Sequence, residues 1–216
     1  MISILLATYN GEKFIKESID SVVNQTFTEW ELLIGFNGTT DNTRKIVESY
    51  DDPRIKTFDY KDDKGKSKTL NKLILQSSYE WIAIQDDDDV WVKDKLESQI
   101  KFLNEYDIIG SKISYIDENG NPKGYPKIHT DHSKIVELSL RGDNQIPNTS
   151  AIFKKKDALD IGGWVSYLDG IEDFDFWLKL IRLGKKVMNV DKRLVLHRLH
   201  AKSNFNTKKH DLNKIL

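Results

Sequence analysis

The chain of 216 residues contains no cysteine. A disulfide framework and a thiolate-bound metal are therefore both excluded. Charge of one sign is also missing, since 33 basic and 34 acidic residues leave a formal net charge of -1. Bulk electrostatics give no reason to expect nucleic acid as a partner. No stretch approaches the roughly 20 apolar residues of a membrane span. The opening run Ile2 to Ala7 is too short for a signal peptide and lacks a basic leader, so a cytoplasmic protein is expected. No G-x-G-x-x-G follows an expected strand, which argues against a dinucleotide-binding dehydrogenase. Repeats, low-complexity segments and Pro/Gly/Ser linkers are absent too. One compact unit is expected at this length.

What is present is a regular alternation. Ile2 to Ala7, Glu31 to Phe36, Ile55 to Phe58 and Trp81 to Ile84 read as strands. Helical spacing lies between them: Phe14, Ile15, Ile19, Val22 and Val23; then Thr43, Ile46, Val47 and Tyr50; then Leu70, Leu73 and Ile74. Such β-α repetition implies an α/β fold with a mainly parallel sheet flanked by helices. Beyond residue 92 it is lost. A helix is expected from about Leu96 to Tyr106 and strands at Ile108 to Tyr115 and Ser150 to Phe153. Further helices are expected over Asp131 to Leu140 and from Phe174 to Ile181, and two separate strands at Val187 to Val190 and Leu194 to Leu199. Residues 1–92 are read as a nucleotide-binding half, 93–203 as a half for the second substrate, and 204–216 as a polar tail.

The chemistry centres on Gln85-Asp86-Asp87-Asp88-Asp89-Val90-Trp91. Four carboxylates ending a buried strand suit a hard divalent cation, and the edge of a parallel sheet is where such folds bind ligands. A solvated acidic loop, with Asp89 capping the next helix, is the plainer alternative. Asp88 is the first choice as metal ligand; Asp86 suits the metal or a ribose hydroxyl, and Asp87 is less defined. Thr8-Tyr9-Asn10 and Phe36-Asn37-Gly38 follow strands and fall at the same edge, where they suit a base and a ribose. Glu172 and Asp173 open an amphipathic helix. They either complement its dipole or supply a general base, its carboxylate desolvated among Trp164, Tyr167 and Trp177. His200 and Arg198 close the last strand, where His200 suits a metal or phosphate and Arg198 adds positive charge.

These blocks, in this order, resemble the family 2 inverting glycosyltransferases, which have the GT-A fold. Ala7-Thr8-Tyr9-Asn10-Gly11, Asn37-Gly38-Thr39-Thr40-Asp41, Asp86 to Trp91 and Glu172 to Trp177 carry the resemblance. Asn24 to Phe27, Asn71, Gly162-Gly163-Trp164 and His200 with Ser203 support it. The resemblance implies transfer of a sugar, with inversion, from a nucleotide diphosphate sugar to a hydroxyl of a glycan or lipid-linked acceptor. An acceptor of that kind puts the protein beside a membrane surface. It also implies Mn2+ or Mg2+ as cofactor, held by Asp88 and Asp86 with His200 near by. Ala7, Thr8, Tyr9, Asn37, Asn71, Asp86 and Asp87 are then expected to hold the nucleotide, and Asp173, with Glu172 beside it, to act as the base. Trp164 and Trp177 are expected to face the acceptor. The chain departs at one place: the family usually carries two acids before Gly38, the second often reading uracil, where this chain has Phe36 and Asn37. An amide can still pair with uracil, so a UDP-sugar is the expected donor. A sugar nucleotidyltransferase and a non-catalytic binding module are the alternatives. The former is expected to carry a Gly-rich, basic loop after the first strand, and this chain has none.

Overall fold

In a computed structural model that describes residues 1–61, 64–168 and 170–201, the segment Ile2–Thr8 forms the first strand, β1, buried at every position but Ala7. Ile4 and Leu6 point to one face and Leu5 to the other, as strand alternation requires. Both faces are apolar because both are covered by helices. The next strands are β2 (Trp30–Phe36), β3 (Ile55–Asp59) and β4 (Trp81–Asp86). Between them run α1 (Ile15–Val23), α2 (Thr43–Val47) and α3 (Lys66–Gln76). β1 pairs in parallel with β2 and with β4, and β2 with β3. The expected α/β alternation is thus present in full.

The second half is mixed. It contains β5 (Val90–Trp91), α4 (Lys95–Gln99), β6 (Ile108–Ile116), α5 (His132–Leu140), β7 (Ile152–Lys154), α6 (Lys155–Asp160), α7 (Glu172–Arg182) and β8 (Val187–Arg198). The strands join one eight-stranded sheet in the order β3-β2-β1-β4-β7-β6-β8-β5. β7 runs antiparallel to β4 and to β6, while β6 and β8 are parallel. Leu70, Leu73 and Ile74 of α3 share one core with Phe176, Trp177, Leu180 and Ile181 of α7. Ile15, Ile19 and Val22 of α1 pack on the opposite face with Trp91 and Leu96. Among the described residues no helix is long and apolar enough to cross a membrane.

Two expectations are corrected. The two strands foreseen at 187–190 and 194–199 are the single β8, whose pairing with β6 shifts register around Ser111 and Lys112. Asp191, Lys192 and Arg193 are exposed in that irregularity, so they break the apolar pattern without ending the ladder. The helix foreseen to reach Tyr106 is only α4 and a 3-10 turn at Ile100–Phe102. β5 and α6, too short to show a period, were not foreseen at all. Ser203 and the polar tail lie outside the described residues.

Candidate active site

Register fixes the site. Ala7 is paired with Gly35 on one side and with Asp86 on the other, so the ends of β1, β2 and β4 meet at one edge. The turn leaving β4 is tied down on all sides. Ser18 of α1 donates to Asp86 O at 2.8 Å, and Gln85 Nε2 donates to Asp89 O at 2.8 Å. The four acids of this turn have four different surroundings. Asp86 Oδ1 pairs with Lys66 Nζ at 2.5 Å. Asp87 Oδ2 accepts from the Thr8 hydroxyl at 2.5 Å. Asp88 Oδ2 lies 2.8 Å from His200 Nε2. Asp89 is fully buried, accepts from the Arg198 backbone N–H at 2.8 Å and pairs with His197 Nδ1 at 3.0 Å.

These surroundings pull the carboxyls apart electrically. Burial, and then the charge of Asp88, push Asp87 up to about 7. Burial would raise Asp88 too, but the His200 hydrogen bond and nearby cationic charge hold it below the ordinary carboxylate range. Burial raises Asp89 against the opposing pull of His197. His197 is itself lifted to about 9: burial opposes the rise, but the charge and hydrogen bond of Asp89, with the charges of Asp88 and Asp86, together outweigh it. Asp88 is thus held ionised, while its neighbours Asp87 and Asp89 are both pushed the other way. The alternative in which Asp89 caps the next helix does not hold: α4 starts at Lys95 after Asp94, and Asp89 is committed to the end of β8.

The second acid site opens α7. Glu172 is buried and its Oε2 accepts from the Gly170 N–H at 2.5 Å. Asp173 is half-buried, with Asn144 Nδ2 at 3.5 Å from its Oδ2. Burial, then the charge of Glu172, raise the Asp173 carboxyl to about 7, while Lys66 works against the rise. The ammonium of Lys66 in turn feels Asp86 first, then Glu172 and Asp173, and their charge outweighs its burial. Lys66 therefore stands electrostatically between the two acid sites. In the sequence Lys66 reads as the end of a polar loop, whereas it opens α3 directly after Gly65.

Several expected roles do not survive. Trp177 is fully buried and Trp164 is 2% exposed, its ring stacked on Phe176 at 4.4 Å. Both indoles are core, so neither offers a face to an acceptor; Tyr167, at 80% exposed, does not enclose Asp173 either. Asn71 is not turned to a nucleotide. Its Nδ2 donates to Trp164 O at 2.8 Å and its Oδ1 accepts from Trp164 N at 2.9 Å. It clamps the loop that leads to Asp173, across a separation of 93 residues. Arg198 is 2% exposed, its guanidinium spent on Asp88 O, Asp117 O, Glu118 O and Glu17, so it does not face a phosphate. Asn37 is 8% exposed; its Oδ1 accepts from Gly65 N at 2.8 Å and its backbone N–H donates to Thr8 O at 2.9 Å. Tyr9 stands at the same edge, 54% exposed.

Comparison with known proteins bears directly on this arrangement. The family model described as Glycosyl transferase family 2 matches residues 3–161, which take in β1 to β7 and the acid turn and end before α7 and β8. The chain belongs to glycosyltransferase family 2. It is 31% identical over 214 residues to the O-antigen biosynthesis glycosyltransferase WbnJ of Escherichia coli, covering 94% of this chain and 81% of that protein. Its fold is that of S. aureus TarS 1-349 in complex with UDP-GlcNAc, with a TM-score of 0.79, 22% identity, and 99% of this chain and 63% of that one covered. The mannosyltransferase PcManGT from Pyrobaculum calidifontis, in complex with GDP-Man and Mn2+, superposes with a TM-score of 0.72 at 17% identity, over 94% of this chain and 58% of that one. The family 2 chain therefore spans less than two thirds of either solved chain, and the expected GT-A fold is the observed one.

For a family 2 glycosyltransferase the donor set at the acid turn can be tested against a divalent cation. Two cis ligands of an octahedral Mg2+ at about 2.0–2.1 Å lie roughly 3 Å apart. Asp88 Oδ2 and His200 Nε2, 2.8 Å apart, match that spacing. No set of three acid or histidine side chains converges on a cation site among the described residues.

Proposed function

We propose that this glycosyltransferase moves a sugar with inversion from a nucleotide diphosphate sugar, a UDP-sugar first among them, to a hydroxyl of a glycan or lipid-linked acceptor. The observation that carries the proposal is one sheet edge with two electrically distinct acid sites. Asp88 is held ionised beside His200, and Asp173 is raised to about 7. An ionised carboxylate suits a cation, and a carboxyl that titrates near neutrality suits a general base. Residues 1–92 hold the donor in this reading, and residues 93–203 present the acceptor and the base. The nucleoside lies against Ala7, Thr8 and Tyr9. Asn37 contributes its amide N–H groups to a base carbonyl, since its oxygen already serves Gly65. Asp86 takes a ribose hydroxyl or a share of the cation.

Asp88 and His200 would hold Mn2+ or Mg2+, with Asp86, paired to Lys66, reaching the ion only through water, and the ion would offset the charge that develops on the departing diphosphate. The chain's own residues do the rest. Asp173 accepts the proton of the acceptor hydroxyl on the face opposite the diphosphate. The hydroxyl oxygen bonds to the anomeric carbon as the bond to the diphosphate breaks, and that electron pair leaves with the diphosphate. No covalent intermediate with the protein is needed. The complex of TarS with UDP-GlcNAc supports a uridine donor, that of PcManGT supports a metal, and the name of WbnJ supports a surface-polysaccharide acceptor. Such an acceptor places the work at the cytoplasmic face of a membrane. The test is a thermal-shift screen of nucleotide sugars with manganese, followed by donor hydrolysis. Stabilisation by a nucleotide sugar is expected; none by any of them overturns the proposal.

A further inference from the structure

Arg198 is among the largest fully buried side chains, and nothing in the proposed chemistry uses it. Its Nε donates to Asp88 O at 2.9 Å, and one terminal nitrogen donates to Asp117 O at 3.2 Å and Glu118 O at 3.3 Å. The other terminal nitrogen pairs with the Glu17 carboxylate from α1. The Arg198 backbone N–H meanwhile donates to Asp89 Oδ1 at 2.8 Å. Main chain and side chain of one residue thus grip two successive acids of the turn. Phe14 lies against the guanidinium, 4.6 Å from its ring centroid, and against the His200 ring at 5.2 Å. With Asp86 O held by Ser18 and Asp89 O by Gln85, Arg198 supplies the donor for Asp88 O.

We propose that Arg198, anchored by Glu17, is a positioning residue that fixes the backbone of the acid turn so that the Asp88 carboxylate meets His200 and the donor's cation. The inference rests on the donor reading above. Glu17 balances the guanidinium charge, so Arg198 brings geometry to the site rather than extra positive charge. The planar fork matters, because it serves three carbonyls and a carboxylate at once. A lysine in its place has one compact ammonium and cannot reach the same set. Partners of this kind, one step removed from a metal, typically change metal affinity by about tenfold to a hundredfold when lost.

The test compares wild type with Arg198→Lys and Glu17→Ala. Manganese affinity is measured by electron paramagnetic resonance with UDP present, and hydrogen exchange of residues 86–91 is followed in the metal-free protein. Both variants are expected to exchange faster across the turn and to bind manganese about tenfold more weakly or worse. The Glu17 side chain is 55% exposed and Arg198 keeps its three carbonyl acceptors, so Glu17→Ala is the milder change and decides the matter where Arg198→Lys does not fold. Unchanged exchange overturns the inference, and so does faster exchange with unchanged manganese affinity. A wild-type protein that binds no manganese with UDP overturns the donor reading instead, and the exchange data still report whether Arg198 holds the turn.

Discussion

Asn71→Ala separates a loop clamp from a nucleotide contact. The native amide makes two hydrogen bonds to the Trp164 backbone, at 2.8 and 2.9 Å. A typical intramolecular hydrogen bond contributes about 0.5–1.5 kcal/mol net, so their loss costs about 2 kcal/mol. For a chain of this size that lowers the melting temperature by roughly 4–8 °C. A urea titration should show a lower midpoint at an unchanged slope. Gly163 supplies the matching perturbation. Its φ is +71°, and a Cβ there would collide with Asn71 Oδ1. Gly163→Ala alone therefore meets backbone strain and a collision. In an Asn71→Ala background the strain remains, of about 1–2 kcal/mol, and the collision is gone. The double-mutant cycle should show a coupling of about 1 kcal/mol or more, within the range for residues in contact. Calorimetric titration with UDP should give the wild-type affinity for Asn71→Ala, while turnover falls because the loop before Asp173 is loosened. A marked loss of UDP affinity without loss of stability would refute the clamp, and so would additive effects in the cycle.

The Asp173 carboxyl, raised from 3.8 to about 7, gives two pH expectations. As a base it works deprotonated, so kcat/KM should fall as pH drops through about 7; a flat profile from pH 5 to 8 would contradict this. The folded chain also holds a proton there that the unfolded chain has lost, so stability declines as pH rises from about 4 to 7. Asp173→Asn should accordingly melt above wild type at pH 8 and match it below pH 4, as scanning calorimetry can check. Because Lys66 pulls the Asp173 carboxyl down, Lys66→Gln should move the acid limb of the kcat/KM profile to higher pH; an unmoved limb would remove Lys66 from the site's electrostatics. Trp177, fully buried, should cost about 3–5 kcal/mol when cut to alanine. Chemical denaturation would show it, and acceptor KM measured well below the melting temperature should not change.

The parts of this molecule written in local sequence were legible. β1, β2 and β4 are apolar runs of strand length, and α1 and α7 repeat apolar residues at helical spacing. Parallel pairing then carries the ends of β1, β2 and β4 to one edge without further information. What stayed hidden depends on distant partners. Nothing near Asn71 reveals that its amide meets Trp164, and nothing near Asp89 reveals that β8 will use it. Tryptophans beside an acid read equally well as ligand wall and as core; burial against Phe153 and Phe176 decided for core. Arg198 read as a charge near phosphate because its sequence neighbours are histidines, whereas its actual partners are carbonyls 80 to 110 residues away. β8 read as two strands because the irregularity in its middle exposes three polar residues in succession.

Calorimetric titration with UDP and manganese, run on wild type, Asp88→Ala and Asp173→Asn beside an assay of sugar transfer, tests the central claim most directly. Wild type should bind and turn over, Asp88→Ala should lose manganese-dependent binding, and Asp173→Asn should bind as wild type yet transfer nothing. Transfer by Asp173→Asn at the wild-type rate, or manganese-dependent binding undiminished in Asp88→Ala, would contradict the division of labour between the two acid sites.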